Sequence, residues 1–239
     1  MKAMIFAAGL GTRLKEYTAD RPKALVKVKG KTLLQHCIEH LKGFGANTIV
    51  INIHHFADKV LKELSKHNNF GCEIIISDER EQLLETGGGL MKAARHLRGN
   101  EPLLVFNVDV LSNVDLNKML EYHMNKAALA TLATRRRVSS RYLLFDSGQQ
   151  LCGWTNTKTE EVKMSRTGRE TQQFAFSGIQ ILSPEIFDLI EEKGKFSITD
   201  SYLNLAREHK IIAYPHDEDY WFDVGSPQKL QAVEHFLKN

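Results

Sequence analysis

Apolar positions in the first half of the chain follow two spacings. Residues 3–7 form a short, wholly apolar run, and residues 48–53 and 103–106 repeat that pattern, the former with β-branched side chains. Continuous apolar runs of this length read as strands buried on both faces. Between them Leu33, Leu34, Cys37, Ile38 and Leu41 recur at helical spacing, as do Val60, Leu61 and Leu64. Residues 73–76 read as another strand. Residues 90–97 read as a helix opened by Gly87, Gly88 and Gly89, and residues 114–123 as a further helix. Strands alternating with helices predict an α/β fold of three layers, α/β/α, around a mainly parallel sheet.

Beyond residue 126 the pattern is less regular. Residues 127–133, 142–145, 174–182 and 211–214 read as strands. Pro184 starts a helix in its first turn, and 197–206 and 228–237 read as helices. The polar stretch 151–169 is expected to be a hairpin or loop. No Pro/Gly/Ser linker, low-complexity stretch or repeat divides the sequence, so residues 1–239 are expected to form one domain of two halves, 1–126 and 127–239.

Composition narrows the function classes. A chain of 239 residues can bury a core without disulfide or metal staples. The net charge of +3, from 32 basic and 29 acidic residues, is too small and dispersed to argue for nucleic acid. Cys37, Cys72 and Cys152 are far apart and odd in number, which fits a reduced cytoplasmic protein better than a disulfide framework. No run approaches the ~18 apolar residues of a membrane span.

Four segments carry candidate chemistry. The loop Ala8-Gly9-Leu10-Gly11-Thr12-Arg13 follows the first strand. Its small residues let backbone N–H groups approach a phosphate, and Arg13 adds a fork of donors. Leu14 occupies the third glycine position of a dinucleotide fingerprint, and no Gly-Lys-Ser/Thr follows, so it is neither that fingerprint nor a Walker A loop. Pro22-Lys23 comes ten residues later. Asn107-Val108-Asp109 sits at the carboxyl end of a buried strand, where open α/β sheets bind ligands; a turn or cap role for Asp109 is the plainer alternative. Asp223, in Trp221-Phe222-Asp223-Val224-Gly225-Ser226, needs a partner for its charge, and Asp109 with Asp223 could hold Mg²⁺. Asp223 could instead cap the last helix, although Ser226 is available for that task. In Leu84-Glu85-Thr86-Gly87-Gly88-Gly89 the glycines would let a ring or ribose approach the backbone.

Together these segments resemble the sugar-1-phosphate nucleotidylyltransferases. The resemblance runs in order through Gly9-Leu10-Gly11-Thr12-Arg13, Pro22-Lys23, Leu84–Gly89, Asn107-Val108-Asp109, Phe176-Ser177-Gly178-Ile179 and Trp221-Phe222-Asp223-Val224-Gly225, essentially the whole chain. Leu84–Gly89 resembles most the N-acetylmuramate-1-phosphate uridylyltransferase and mannose-1-phosphate guanylyltransferase-like branch. The resemblance implies a Rossmann-like core with Arg13 and Lys23 as catalytic groups. It implies nucleotide contacts from Ala8, Gly9, Leu10, Gly11, Thr12, Glu85, Thr86, Gly87 and Asn107, and sugar contacts from Ser177 and Gly178. Asp109 and Asp223 would bind the metal, Mg²⁺. The 1–126 half would hold the nucleotide and the 127–239 half the sugar phosphate. Two departures stand out: Val108 replaces the usual glycine before the metal aspartate, and the Glu-Lys-Pro segment bearing the sugar-phosphate lysine is missing. Lys158 and Lys163 lie nearby in sequence, in no matching motif.

The resemblance of Leu84–Gly89 to the uridylyltransferase branch implies UTP or GTP as donor, UTP slightly ahead; alongside it, uracil and guanine each present an N–H that Glu79, Glu81, Glu85 or a backbone carbonyl at 87–89 could accept. Two other readings stay open: a cytidylyltransferase acting on an alcohol phosphate such as phosphocholine, and a non-catalytic nucleotide-sugar sensor. His54-His55 is a poor chelating pair in an extended run. Arg135-Arg136-Arg137 reads first as a solvated cluster and second as an extension of an anion pocket.

Overall fold

The structure, a computed structural model, describes residues 1–237 apart from the Lys15 side chain. Its first half contains β1 (Lys2–Phe6), β2 (Lys27–Val28), β3 (Lys31–Thr32), α1 (Leu33–Gly43), β4 (Thr48–Ile53), α2 (Ala57–Lys66), β5 (Glu73–Asp78), α3 (Glu85–Leu97), β6 (Leu103–Asn107), β7 (Val110–Ser112) and α4 (Leu116–Lys126). The second half adds β8 (Ala130–Arg135), β9 (Arg141–Phe145), β10 (Leu151–Asn156), β11 (Glu161–Met164), β12 (Gln172–Leu182), α5 (Ile186–Leu189), α6 (Ile198–Leu205), β13 (Ile211–Pro215), β14 (Trp221–Asp223) and α7 (Pro227–Phe236).

The main sheet runs β11-β10-β9-β12-β6-β1-β4-β5, with β8 and β13 attached beside β12. Strands β5, β4, β1 and β6 are parallel, as the alternation of strands and helices requires. From β12 onward the pairings are antiparallel except β13 with β8, so the whole sheet is mixed. The polar stretch 151–169 contains the antiparallel pair β10–β11.

Side-chain alternation along β1 divides the core. Ala3 and Ile5 pack with α1, α2 and α4 on one face, while Met4 packs with α3 and α6 on the other. A third cluster, Leu14, Val26, Val28, Leu33, Val224, Leu230 and Val233, seats α7 against the first loop.

The glycines of α3 allow close packing against neighbouring chain. A Cβ on Gly87 would lie 2.2 Å from the Phe196 ring, and one on Gly88 2.1 Å from the Gly194 carbonyl oxygen. The Gly87 N–H donates to the Phe196 carbonyl at 3.0 Å. Segment 194–197 therefore straps across the first turn of α3 and occupies the space the glycines leave.

Buried His123 joins α4 to Thr131 Oγ1 at 2.9 Å and Ser183 Oγ at 3.0 Å. Desolvation pushes its pKa from 6.5 down to about 4, against a smaller pull upward from Glu185. The unfolded chain therefore binds the proton more tightly, so His123 lowers stability as pH falls from about 6.5 toward 4.

Two measurements check this packing. Gly88→Ala should lower unfolding stability by ~1–3 kcal/mol in urea titrations, because backbone must move. Gly43→Ala, with open space around its Cβ position, should not destabilise. Between pH 7 and pH 5 the urea midpoint should fall, and His123→Gln should flatten that slope.

Candidate active site

The parallel strands β1, β4 and β6 end on one edge of the sheet, where a cavity of about 390 Å³ opens. Ala8 and Gly9 line it from the first loop, Lys23 from the segment that follows, Glu85 and Thr86 from the start of α3, and Asn107 and Asp109 from the end of β6.

Hydrogen bonds fix the first loop at both ends. Ala7 N–H donates to Asn52 Oδ1 at 2.7 Å, Asn52 Nδ2 donates to Glu79 Oε1 at 2.8 Å, and Leu84 N–H donates to Glu79 Oε2 at 3.1 Å. This chain links β1, β4 and the segment before α3 through a fully buried carboxylate. Gly11 adopts φ +67°, and its carbonyl accepts from Leu14 N–H and Thr18 Oγ1. That left-handed turn favours glycine. The N–H groups of Ala8, Gly9 and Leu10 meet no acceptor among the described residues, and so stay available to a ligand.

Lys23 follows extended Pro22 and turns inward, where its ammonium pairs with the Asp109 carboxylate. Both side chains are mostly buried. Val108 N–H donates to the Phe6 carbonyl at 3.1 Å, continuing the β1–β6 pairing. Val108 is not among the residues with positive φ, so no glycine is needed there.

Asp223 reaches the same edge through the pairing of β14 with β7. Asp223 stands opposite Val110, and Val224 N–H donates to the Asp109 carbonyl at 2.8 Å. Lys229 Nζ lies 2.5 Å from both Asp223 oxygens. A Cβ on Gly225 would meet Asp223 Oδ1 at 2.9 Å and an Arg13 guanidinium nitrogen at 3.3 Å, so Arg13 and Asp223 flank the same glycine. Ser226, not Asp223, caps α7. The Asp109 and Asp223 carboxylates are each matched by an ammonium, and among the described residues no group of three or more His, Cys, Asp or Glu side chains is placed to hold a metal ion.

Other expected site residues stand differently. Thr12, on the exposed start of a 3-10 turn, and Leu10, also exposed, continue the loop. Ser177 is buried, its hydroxyl 2.7 Å from His216 Nε2, and its carbonyl accepts from Trp221 Nε1 at 2.9 Å. Gly178 adopts φ +76° at an irregularity of β12, and the Asn107 side chain fills the space where its Cβ would be. Neither residue lines the cavity. Glu79 is fully buried and bonded to Asn52 and Leu84; of the three glutamates expected to accept from a base, Glu85, half-exposed and 3.6 Å from Lys195, lines the cavity. His54 Nδ1 meets the Glu79 carbonyl and His55 packs on Phe56, so the two do not form a chelate.

The arginine run is engaged rather than solvated. Arg135 donates to the Asp219 and Asp217 carbonyls, and Arg136 lies over the Phe174 ring. Arg137 is half-buried over Trp221. Sequence reasoning gave Arg137 a place in an anion pocket only as its second reading, because a triplet of arginines looks like surface, and gave Lys229 none, because a lysine six residues past Asp223 carries no motif.

A family model described as nucleotidyl transferase matches residues 2–239. The chain belongs to that family of nucleotidylyltransferase enzymes. It is 34% identical to N-acetylmuramate alpha-1-phosphate uridylyltransferase of Caulobacter vibrioides over 97% of this chain and 95% of the relative. It is 30% identical to mannose-1-phosphate guanyltransferase 2 of Candida glabrata over 97% of this chain, and spans 63% of that longer protein. The crystal structure of UDP-glucose pyrophosphorylase complexed with UDP-glucose has the same fold, with a TM-score of 0.80 at 20% identity over the full length of both chains. Among the described residues no helix is long and apolar enough to cross a membrane.

Arg13→Ala should fold with a melting temperature near that of the parent, and Lys23→Ala should stay folded with a lower one, because it leaves the mostly buried Asp109 carboxylate unpaired. Transferase activity should fall ~10²–10³-fold, equivalent to ~3–4 kcal/mol of barrier. Parallel melting curves and steady-state rates check both statements.

Proposed function

We propose that this chain joins a nucleoside triphosphate to a sugar 1-phosphate, releasing pyrophosphate, with UTP or GTP as donor and UTP ahead. The observation that carries the reading is the convergence, on one sheet edge, of the free N–H groups of Ala8, Gly9 and Leu10, the Lys23–Asp109 pair, Arg13 and Asp223. The attacking phosphate oxygen is already anionic, so the protein has to align two polyanions and screen their charge rather than supply a general base.

In this reading the first-loop N–H groups and Arg13 hold the triphosphate. Lys23 meets the phosphate that is attacked, and its pairing with Asp109 fixes it in place. Thr86 Oγ1 accepts from Ile198 N–H at 3.0 Å, which holds the start of α3 beneath the nucleoside. Glu85 or a neighbouring carbonyl accepts the N–H of uracil or guanine. Cytosine and adenine present an acceptor at that position, and the mismatch costs ~1–3 kcal/mol, a ten- to hundredfold preference. Mg²⁺ held by Asp109 and Asp223, when bound, would screen the charge gathered on the phosphates. Ser177 and Gly178 would act through the backbone of β12, since the Ser177 hydroxyl is committed to His216. The uridylyltransferase and guanyltransferase relatives support the ranking of donors. The setting would be the cytoplasm, where both substrates are made, with neither nucleic acid nor membrane insertion involved.

Pyrophosphate release from each of the four triphosphates with several sugar 1-phosphates and phosphocholine tests the reading. UTP or GTP with a sugar 1-phosphate should be the best pair, and chelation of divalent cations should abolish release. CTP with phosphocholine as the best pair would replace the reading with the alcohol-phosphate one. No release from any pair would leave a nucleotide-sugar sensor.

A further inference from the structure

Arg137 lies at the start of the connection between β8 and β9, in the half of the chain opposite the first loop. Its guanidinium sits 4.5 Å from the centroid of the Trp221 ring. That ring is held by its own Nε1–H, which donates to the Ser177 carbonyl at 2.9 Å. Trp221 and Asp223 are two residues apart on β14, so they project to the same face of the strand. The platform under Arg137 therefore sets the guanidinium beside one of the two carboxylates of the site. Burial draws its proton affinity down, and the nearby Asp223 charge draws it back up.

The hydrogen bonds of this guanidinium are mostly unused. One terminal nitrogen donates to the Phe176 carbonyl at 3.1 Å, while Nε is shielded from water and has no partner. Among the described residues no carboxylate lies within ion-pair distance of it. The remaining terminal N–H groups are not buried without a partner and stay open to solvent or to a ligand. Arg135, two residues earlier, shows the contrast: two backbone carbonyls satisfy it. An anion with several oxygens, a phosphate above all, matches the vacant fork.

We propose that Arg137 binds the phosphate of the acceptor substrate, the sugar 1-phosphate, and so stands in for the lysine of the missing Glu-Lys-Pro segment. The inference rests on the proposed function. The donor triphosphate has its own cations and N–H groups on the β1 side, in Arg13, Lys23 and residues 8–10. Arg137 approaches Asp223 from the other half, beside the β12 carbonyl of Phe176. Neither nearby lysine competes for the role. Lys163 is held by Asp200 at 3.2 Å and Glu161 at 3.7 Å over the Trp154 ring, and Lys158 lies exposed in the β10–β11 turn.

Steady-state kinetics with the most active donor–acceptor pair of the panel test it. Arg137→Met should raise KM for the sugar 1-phosphate about ten- to hundredfold, the value of a charged hydrogen-bond donor. KM for the triphosphate and the melting temperature should stay near parental values. Arg137→Lys should recover part of the acceptor affinity, and it keeps the test valid should the methionine variant fold poorly. An unchanged acceptor KM in a folded variant, or equal rises in both KM values, would overturn the proposal for Arg137 alone. A parent chain inactive on every pair would overturn the proposed function, and this inference with it.

Discussion

Asp109 and Asp223 bring like charges to one edge of the sheet, and the site exists because cations are set against both. Lys23 pairs with Asp109 and Lys229 with Asp223, while Arg13 flanks Gly225 and Arg137 stands over Trp221. Like charges at such positions repel by amounts that grow as water is excluded. Each carboxylate therefore needs a partner before any ligand arrives, and the ammonium groups supply it.

The scaffold serves that balance. Strand β6 delivers Asp109, and the short pair β7–β14 carries Asp223 across from the far end of the chain. Helix α7, capped by Ser226, returns Lys229 to Asp223. Below them the buried Glu79 carboxylate ties Asn52 and Leu84 together, so the first loop and the start of α3 cannot move independently. Strap 194–197 then locks the glycine turn of α3 from the other side.

Much of this was legible in the sequence. Residues 48–53 formed the expected strand to the residue, because a buried parallel strand is mostly apolar and β-branched, Asn52 being the exception that its hydrogen bonds explain. The helix at Leu33–Gly43 followed from its apolar spacing. The motifs of the resemblance singled out Lys23 and Asp109, which the fold pairs, and Arg13 and Asp223, which it sets on either side of Gly225. Strands β7 and β14 were missed because three residues carry no period. The packing of segment 194–197 on the glycines of α3 was not foreseen, because sequence shows where space is left, not what fills it. Arg137 was hidden for a related reason: a triplet of arginines is normally solvated, and only the fold reveals the Trp221 ring beneath one of them.

The central claim is that Asp109 and Asp223 form one cation site shared with a bound triphosphate. Electron paramagnetic resonance of Mn²⁺, titrated into the protein holding a non-hydrolysable triphosphate, measures that site without turnover. The account predicts one tightly held Mn²⁺ in the parent chain, weakened by about tenfold or more in both Asp109→Asn and Asp223→Asn, an effect of the size that losing a coordinating or supporting group produces. Equal Mn²⁺ affinity in the parent and in either folded variant would contradict it.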